Sequence, residues 1–318
     1  MEKRTDLALE IRESFPEDDV EVAGVALEEE NFFDDRIRIT TVEIRNQQGE
    51  KQMGKPKGRY VTIELTEKNK WDDTQRRKKT QEQAAKKMAE ILEELVKKKN
   101  HSARQNKQNP VFLVAGLGNR FATPDALGPF VLDDIEVNRH IKKEFGEKGM
   151  KTGEKELCAV SPGVMGQTGM ESQEILGGII EKVHPTCLFV VDSLASRSVN
   201  RLCTTIQITD TGICPGAGIG NNRNTLNEQT LHVPVIAIGV PTVVDAGTIV
   251  SECMEDTLLQ EGYTQKQVDM FLASLSRERM RDLFVTPKDI DEQIRTIGKV
   301  LAHGINLFVK GESRESGA

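Results

Sequence analysis

The feature that most constrains the fold is a repeated arrangement in the middle third of the chain. Three short apolar runs each lead to an acidic residue, and helix-start signals accompany them. The runs and their acids are residues 111–119 before Asp125, residues 187–191 before Asp192 and residues 233–239 before Asp245. Buried parallel strands appear in sequence as near-continuous apolar runs, and functional groups gather at their carboxyl ends. The pattern therefore predicts a parallel α/β sheet with a carboxylate-based active site along one edge.

Size and composition favour one large aliphatic core. The chain has 318 residues, 37% of them hydrophobic, and Trp71 is its only tryptophan. No apolar run reaches the roughly 18 residues of a membrane span, and the acidic N-terminus does not resemble a secretory signal. The five cysteines include no Cys-x-x-Cys pair, which indicates reduced thiols in a cytosol-like compartment.

The N-terminal third differs in character from the rest. Residues 20–25, 37–45 and 59–65 alternate apolar and polar side chains, which is typical of half-exposed strands. Residues 80–99 carry apolar side chains at helical spacing, so their lysines are interpreted as the solvated face of an amphipathic helix and not as a nucleic-acid site. The predicted organisation is a β-rich addition with one helix over residues 7–99, a polar linker over 100–109, an α/β core over 110–310 and a disordered tail over 311–318.

Asp125 and Asp192 are the candidate catalytic groups. Asp125 follows Thr123-Pro124, a helix-start signal, and is expected in a first helical turn, where acids are also common without any catalytic role. Asp192 follows a buried apolar strand, where a charge is costly unless it is used or paired. Its structural alternative is an ion pair with Arg197 or Arg201. Two carboxyl groups on one sheet edge could share a proton and activate water.

Other motifs are weaker. Asp210-Thr-Gly matches the triplet of pepsin-like aspartic proteases, but it occurs once and opens a glycine-rich loop, so it is interpreted as a turn. The loops over residues 161–169 and 212–221 could bind phosphate or peptide backbone, although neither has the sequence of a P-loop. The five histidines show no metal-ligand spacing. Neither a metal site nor a cofactor is predicted.

Long blocks of the chain resemble the germination protease family of spore-forming bacteria. The matching blocks cover most of the chain in order: residues 4–10, 58–64, 114–119, 123–129, 162–166, 191–198, 205–208, 210–213, 215–221, 234–246 and 285–288.

The resemblance implies a fold similar to that of the endopeptidases that mature hydrogenases. The expected architecture is a three-layer α/β/α sandwich with a mostly parallel sheet and the β-rich N-terminal addition. It also implies an atypical aspartic endopeptidase whose catalytic residues match Asp125 and Asp192. The expected substrates are small acid-soluble spore proteins in the cytoplasm of the forespore and spore core, and the expected assembly is a homotetramer. Direct nucleic-acid binding and a membrane association are not predicted.

Family members are made as precursors that remove an N-terminal segment at a site resembling those in their substrates. Asp6-Leu7-Ala8 has the expected acidic, bulky apolar and alanine residues, so cleavage is predicted between Asp6 and Leu7, with residues 1–6 as the propeptide. Backbone N–H groups of the loop containing Gly163 and Gly166 could hold the oxyanion.

The sequence departs from the family pattern in two places. The propeptide is shorter than expected for the family, and residues 248–284 match poorly. Two alternatives stay open at this point: metal-assisted hydrolysis of the hydrogenase-maturation type, and a non-catalytic peptide- or metal-binding module of the same fold.

Overall fold

Nine strands form one continuous sheet in the computed structural model, which describes residues 5–15, 22–66, 74–103, 110–220, 223–274 and 283–312. The strands are β1 (Val25–Phe32), β2 (Ile37–Ile44), β3 (Gly58–Leu65), β4 (Val111–Gly116), β5 (Glu156–Val160), β6 (Cys187–Ser196), β7 (Thr205–Thr209), β8 (Val235–Asp245) and β9 (Phe284–Val285). Their order across the sheet is β1-β2-β3-β7-β8-β6-β4-β5, and β9 pairs with the end of β8.

The sheet is mixed, and its parallel part is the one that the apolar runs predicted. Strands β5, β4, β6 and β8 are parallel neighbours. β7 runs antiparallel to both β8 and β3, so it joins the N-terminal antiparallel strands to the parallel part. The α/β sandwich prediction is confirmed. The N-terminal strands extend the same sheet, which is why parallel pairing covers only one side of it.

Helices cover both faces of the sheet. They are α1 (Ala8–Arg12), α2 (Gln47–Met53), α3 (Thr74–Ala103), α4 (Leu127–Asp133), α5 (Arg139–Phe145), α6 (Met165–Thr168), α7 (Ser172–Val183), α8 (Glu228–Leu231), α9 (Ala246–Gln260), α10 (Gln265–Ser274) and α11 (Ile290–Lys310).

Strand alternation produces the three layers. In β4, Phe112 and Val114 face the core formed with α3, α4 and α11. Leu113 and Ala115 face the opposite core, formed with α7 and α8. Successive side chains of a strand point to opposite faces, so a strand covered on both sides must be apolar throughout. On the N-terminal strands, α1 and α2 cover the second face.

One predicted helix differs from its prediction at both ends. The amphipathic helix runs over Thr74–Ala103, beyond the predicted 80–99 and into the predicted linker, because no proline or glycine interrupts it there. The last helix ends at Lys310 and is followed by Gly311, which adopts a left-handed conformation with φ 72°. Residues 1–4 of the predicted propeptide and residues 313–318 of the predicted tail lie outside the described residues.

None of the helices in the described ranges is long and apolar enough to cross a membrane.

The aromatic centre of the larger core gives a stability test. Phe189 lies 5.5 Å from Phe112 and 5.3 Å from Phe308 between ring centroids, and it is fully buried. Phe189→Ala should lower the free energy of unfolding by about 3–5 kcal/mol, because it removes an aromatic ring and leaves a cavity. Phe121→Ala is the control, since Phe121 is 87% exposed. Equal denaturation midpoints for the two variants would contradict this placement of the core.

Candidate active site

Asp192 lies at the point where β6 extends beyond the end of its neighbour β4. β4 ends at Gly116, which pairs with Val191, so Asp192 is the first residue of β6 beyond that pairing. The strand does not end at Asp192, as the sequence had suggested. It continues to Ser196, because β8 continues beside it on the other side. Asp192 therefore projects from an ordered strand at an open edge, and it is only 5% exposed.

Asp125 is brought to the same place by the loop that follows β4. It lies in a 3-10 turn, Thr123–Asp125, directly before α4, and its Oδ2 accepts a hydrogen bond of 2.8 Å from the Asn119 N–H. Gly118 makes the tight path possible: it has φ +103°, and a Cβ there would lie 1.9 Å from the Asp125 carbonyl oxygen. From β8, the Thr242 hydroxyl donates to the Pro124 carbonyl at 2.6 Å. Two strands thus fix the position of this turn.

Both aspartates line one cavity of about 430 Å³ at the carboxyl edge of the parallel strands. The wall is largely apolar and includes Leu117, Val164, Leu194 and Ile219. An enclosed, mostly apolar cleft with a few convergent polar groups is the usual form of an active site.

The two carboxyl groups are electrostatically coupled. The pKa of Asp192 is raised well above its ordinary value of 3.8, first by burial and then by the negative charges of Asp125 and Asp6. The pKa of Asp125 is also raised by burial, but the hydrogen bond from the Asn119 N–H opposes the shift by stabilising the ionised form. The Ser193 N–H donates to Asp192 Oδ1 at 2.9 Å and opposes the Asp192 shift in the same way. What distinguishes the two groups is the deeper burial of Asp192 and the acids beside it, which favour its protonated form relative to that of Asp125.

The structural alternative for Asp192 does not match the observed ion pairs. Arg197 pairs with Glu252 at 3.3 Å. Arg201 pairs with Glu13 at 2.6 Å and with Glu64 at 2.9 Å. Both arginines are thus engaged by other carboxylates.

The chain's own N-terminal segment reaches this cavity. The Asp6 N–H donates to the Ala195 carbonyl at 2.9 Å, and the Ala195 N–H donates to Asp6 Oδ2 at 2.8 Å. The segment thereby occupies the open edge of β6, and Asp6 lines the same cavity as Asp125 and Asp192.

The side chain of Gln207 on β7 hydrogen-bonds the backbone on both sides of Leu7. Its Nε2 donates to the Asp6 carbonyl at 3.2 Å, and its Oε1 accepts from the Ala8 N–H at 2.7 Å. Leu7 and Ala8 have no exposed surface. The predicted cleavage site therefore contacts β6 through Asp6 and β7 through Gln207, with Leu7 in an extended conformation directly before α1.

A buried carboxylate anchors the residues that follow. Glu10 on α1 is fully buried and accepts hydrogen bonds from the backbone N–H groups of Arg197 and Ser198, at 2.7 and 3.1 Å. It also contacts Arg201 at 3.3 Å. These contacts fix α1 just beyond β6, and so they fix where Asp6 can reach.

Of the two glycines in the predicted oxyanion loop, one lines the cavity and the other lies on the protein surface. Gly163 lines the cavity with φ +75°, whereas Gly166 is exposed on the short helix α6. Asp210 lies away from both catalytic candidates: its Oδ1 accepts from the Arg59 N–H at 2.8 Å and joins the ends of β3 and β7, as expected for a turn.

Sequence reasoning missed Gln207 and Thr242. Both are buried polar residues, at 6% and 0% exposure. Buried polar side chains need partners, and Thr242 stands inside the apolar run of β8, which was an available signal. Gln207 lies between two isoleucines in a strand that also contains two threonines, so it gave no such signal.

No group of three or more His, Cys, Asp or Glu side chains that could hold a metal ion occurs among the residues that the structure describes.

Comparison with known proteins identifies similar sequences along nearly the whole chain. A family model described as germination protease matches residues 2–281. The chain is 41% identical to a germination protease of Clostridium tetani over 326 residues, covering 98% of this chain and 96% of that protein. It is 40% identical to one of Clostridium perfringens over 323 residues, covering 96% and 95% respectively.

Among solved structures, the chain is similar to a NiFe hydrogenase maturation protease from Thermococcus kodakarensis. The sequence identity is 18%, the TM-score is 0.31, and the match covers 63% of this chain and 92% of that chain.

The raised pKa of Asp192 predicts a pH-dependent stability effect. Between the ordinary value of 3.8 and the raised value, the folded state binds more protons than the unfolded state, so stability falls as pH rises. Asp192→Asn removes this cost and should stabilise the protein at pH 7 by about 1 kcal/mol, as substitutions that relieve a strained functional site often do. The gain should shrink toward pH 4.

Thermal unfolding across pH measures the effect, with Asp133→Asn as the control of opposite sign. The pKa of Asp133 is lowered by Arg120, so its ionised form contributes stability at neutral pH that is lost as pH falls. Destabilisation by Asp192→Asn at pH 7 would show that the carboxyl is ionised and paired instead.

Proposed function

The chain belongs to the germination protease family, and we propose that it is a self-activating endopeptidase that cleaves small acid-soluble spore proteins in the spore core during germination. The observation that carries the proposal is that Asp125 and Asp192 line one cavity, and that Asp6 of the acidic-apolar-Ala segment lines the same cavity while it is bound to the edge of β6. Asp125 and Asp192 are assigned as the catalytic pair.

The two aspartates divide the work of the first step. Asp125 is ionised and takes a proton from a water molecule as the water oxygen attacks the carbonyl carbon of the bond to be cut. Asp192 is protonated and donates its proton to the carbonyl oxygen. A neutral tetrahedral gem-diol results, so no net charge forms in the apolar cavity.

The second step restores the starting protonation state of both aspartates. Asp125, now protonated, donates to the leaving nitrogen as the carbon–nitrogen bond breaks. Asp192 takes a proton from one hydroxyl of the gem-diol, which becomes the carboxylic acid of the new C-terminus. The pair is then ready for another cycle.

The geometry around Asp6 supports self-cleavage between Asp6 and Leu7. The Asp6 carbonyl already accepts a hydrogen bond from Gln207, which would polarise it toward attack. Gly163 is the second candidate donor, because it lines the same cavity. Before the cut, Asp6 lies in the cavity that contains both aspartates, so this segment would block access of another substrate.

The dyad predicts which variants stop cleavage. Asp125→Asn and Asp192→Asn should each slow loss of residues 1–6 and digestion of a small acid-soluble spore protein by about 10²- to 10⁴-fold, because each removes one proton-transfer group. Asp291→Asn, at the exposed start of α11, should behave as wild type. Mass spectrometry of timed digests, with and without chelator, measures this. Unchanged cutting by either active-site variant would contradict the assignment, and loss of cutting with chelator alone would require a metal.

Gly118 provides a test of how Asp125 is positioned. Gly118→Ala should reduce cleavage by about 10²-fold, because its Cβ would collide with the Asp125 carbonyl oxygen and displace the turn. Gly177→Ala is the matched control: it lies in α7, and nothing is within 4 Å of its added Cβ. Full activity in Gly118→Ala would show that the turn can move without consequence for catalysis.

A further inference from the structure

A second cavity lies on the far side of Asp6 from the catalytic pair. It has a volume of about 240 Å³ and is walled by the turn after α2, by β7 and by the loop after β7. Among the described residues that line it, Asp6 and Lys55 are the only ones with charged side chains. The cavity therefore contains one carboxylate and one ammonium group in an otherwise uncharged wall, and each group is within electrostatic range of the other.

The Asp6 carboxylate is held by a built set of donors. One oxygen accepts from the Ala195 N–H at 2.8 Å, and the Gly218 N–H also hydrogen-bonds the carboxylate. Gly218 approaches so closely that a Cβ there would lie 2.1 Å from Asp6 Oδ2. Backbone N–H groups that converge in this way bind an anion and leave little space for a larger neutral group.

Lys55 is held in position by its turn. Gly54 ends α2 in a left-handed conformation with φ 61°, and the Tyr60 hydroxyl donates to the Pro56 carbonyl at 2.8 Å. Burial lowers the pKa of Lys55, and the charge of Asp6 opposes that shift. Burial likewise raises the pKa of Asp6, and the N–H of Ala195 and the charge of Lys55 oppose it. Each charge thus offsets part of the desolvation cost of the other.

We propose that Lys55, together with the N–H groups of Ala195 and Gly218, forms the subsite that selects an acidic side chain on the N-terminal side of the cut bond. Asp6 occupies this subsite as the chain's own substrate residue. The position relative to the cut rests on the proposed function, whereas the recognition of a carboxylate rests on the contacts of Asp6 alone.

A double-mutant cycle in the full chain separates recognition from catalysis. Lys55→Gln is combined with Asp6→Asn, all in an Asp192→Asn background in which the segment stays uncut. Hydrogen exchange of the peptide covering residues 5–15 reports how firmly the segment is bound. Lys55→Gln should increase exchange by about tenfold or more when residue 6 is Asp, and by little when it is Asn, because only the carboxylate senses the charge. Lys57→Gln, on the exposed side of the same turn, is the matched control.

The same cycle with Asp192 intact measures self-cleavage by mass spectrometry. Lys55→Gln should slow loss of residues 1–6 by about tenfold, and Lys55→Arg should retain most of the rate, because it keeps the positive charge. If Lys55→Gln has the same effect in chains with and without Asp6→Asn, in both measurements, the subsite is overturned.

The two measurements distinguish a failure of the cleavage assignment from a failure of the subsite. If the wild type does not cut itself while exchange still shows the Lys55–Asp6 coupling, the subsite is retained as a carboxylate-binding site and the cleavage assignment is wrong. If the wild type cuts itself and no coupling appears, the cleavage assignment is retained and the subsite is wrong.

Discussion

The candidate site depends on the unequal length of two neighbouring strands. β6 and β8 continue together for several residues after β4 has ended, so one edge of β6 is open from Asp192 onward. In the described part of the chain, no strand pairs with that edge. Unpaired backbone groups at a sheet edge bind other extended segments readily, and here they bind Asp6. The extension of β6 beyond β4 therefore provides both the edge that binds the peptide and the position of the Asp192 carboxyl group.

Burial of the carboxyl groups is costly, and the fold offsets that cost in different ways. Asp125 receives an N–H hydrogen bond from Asn119, which favours its charge. Asp192 is buried beside two other acids, which raises its pKa and favours its protonated form. Asp6 has backbone donors and the charge of Lys55. Three carboxyl groups around one cleft thus have three different environments, as the separation of acid, base and recognition roles requires.

Under the proposed function, the N-terminal segment bound at β6 would be both a substrate of the site and a block to it. Glu10 fixes α1 against the residues after β6, and Asp6, four residues earlier, lines the cavity. A substrate protein would have to displace that segment or wait for its removal. Cleavage after Asp6 would open the catalytic cavity and the carboxylate subsite together.

Part of this arrangement could be predicted from the sequence. The apolar runs before Asp125 and Asp192 predicted neighbouring strands, and the carboxyl ends of parallel strands meet at one edge, so the two acids were expected together. The continuation of β6 to Ser196 could not be predicted, because it depends on the length of β8. The mixed sheet depends on pairing between β3 and β7, which are distant in sequence. The contacts of Asp6 with Ala195, Gln207 and Gly218 also join residues that are distant in sequence. Lys55 stands in a polar turn, and nothing in the neighbouring sequence indicated that it would lie near Asp6.

The most direct test of the central claim is the titration of the Asp192 carboxyl group, followed by NMR of protein carrying carbon-13-labelled aspartate. The account predicts that Asp192 keeps its proton well above pH 3.8 and that its pKa falls in Asp125→Asn, because a neighbouring negative charge is removed. An Asp192 carboxyl that titrates at its ordinary value, or one that does not respond to the loss of the Asp125 charge, would contradict the coupled pair.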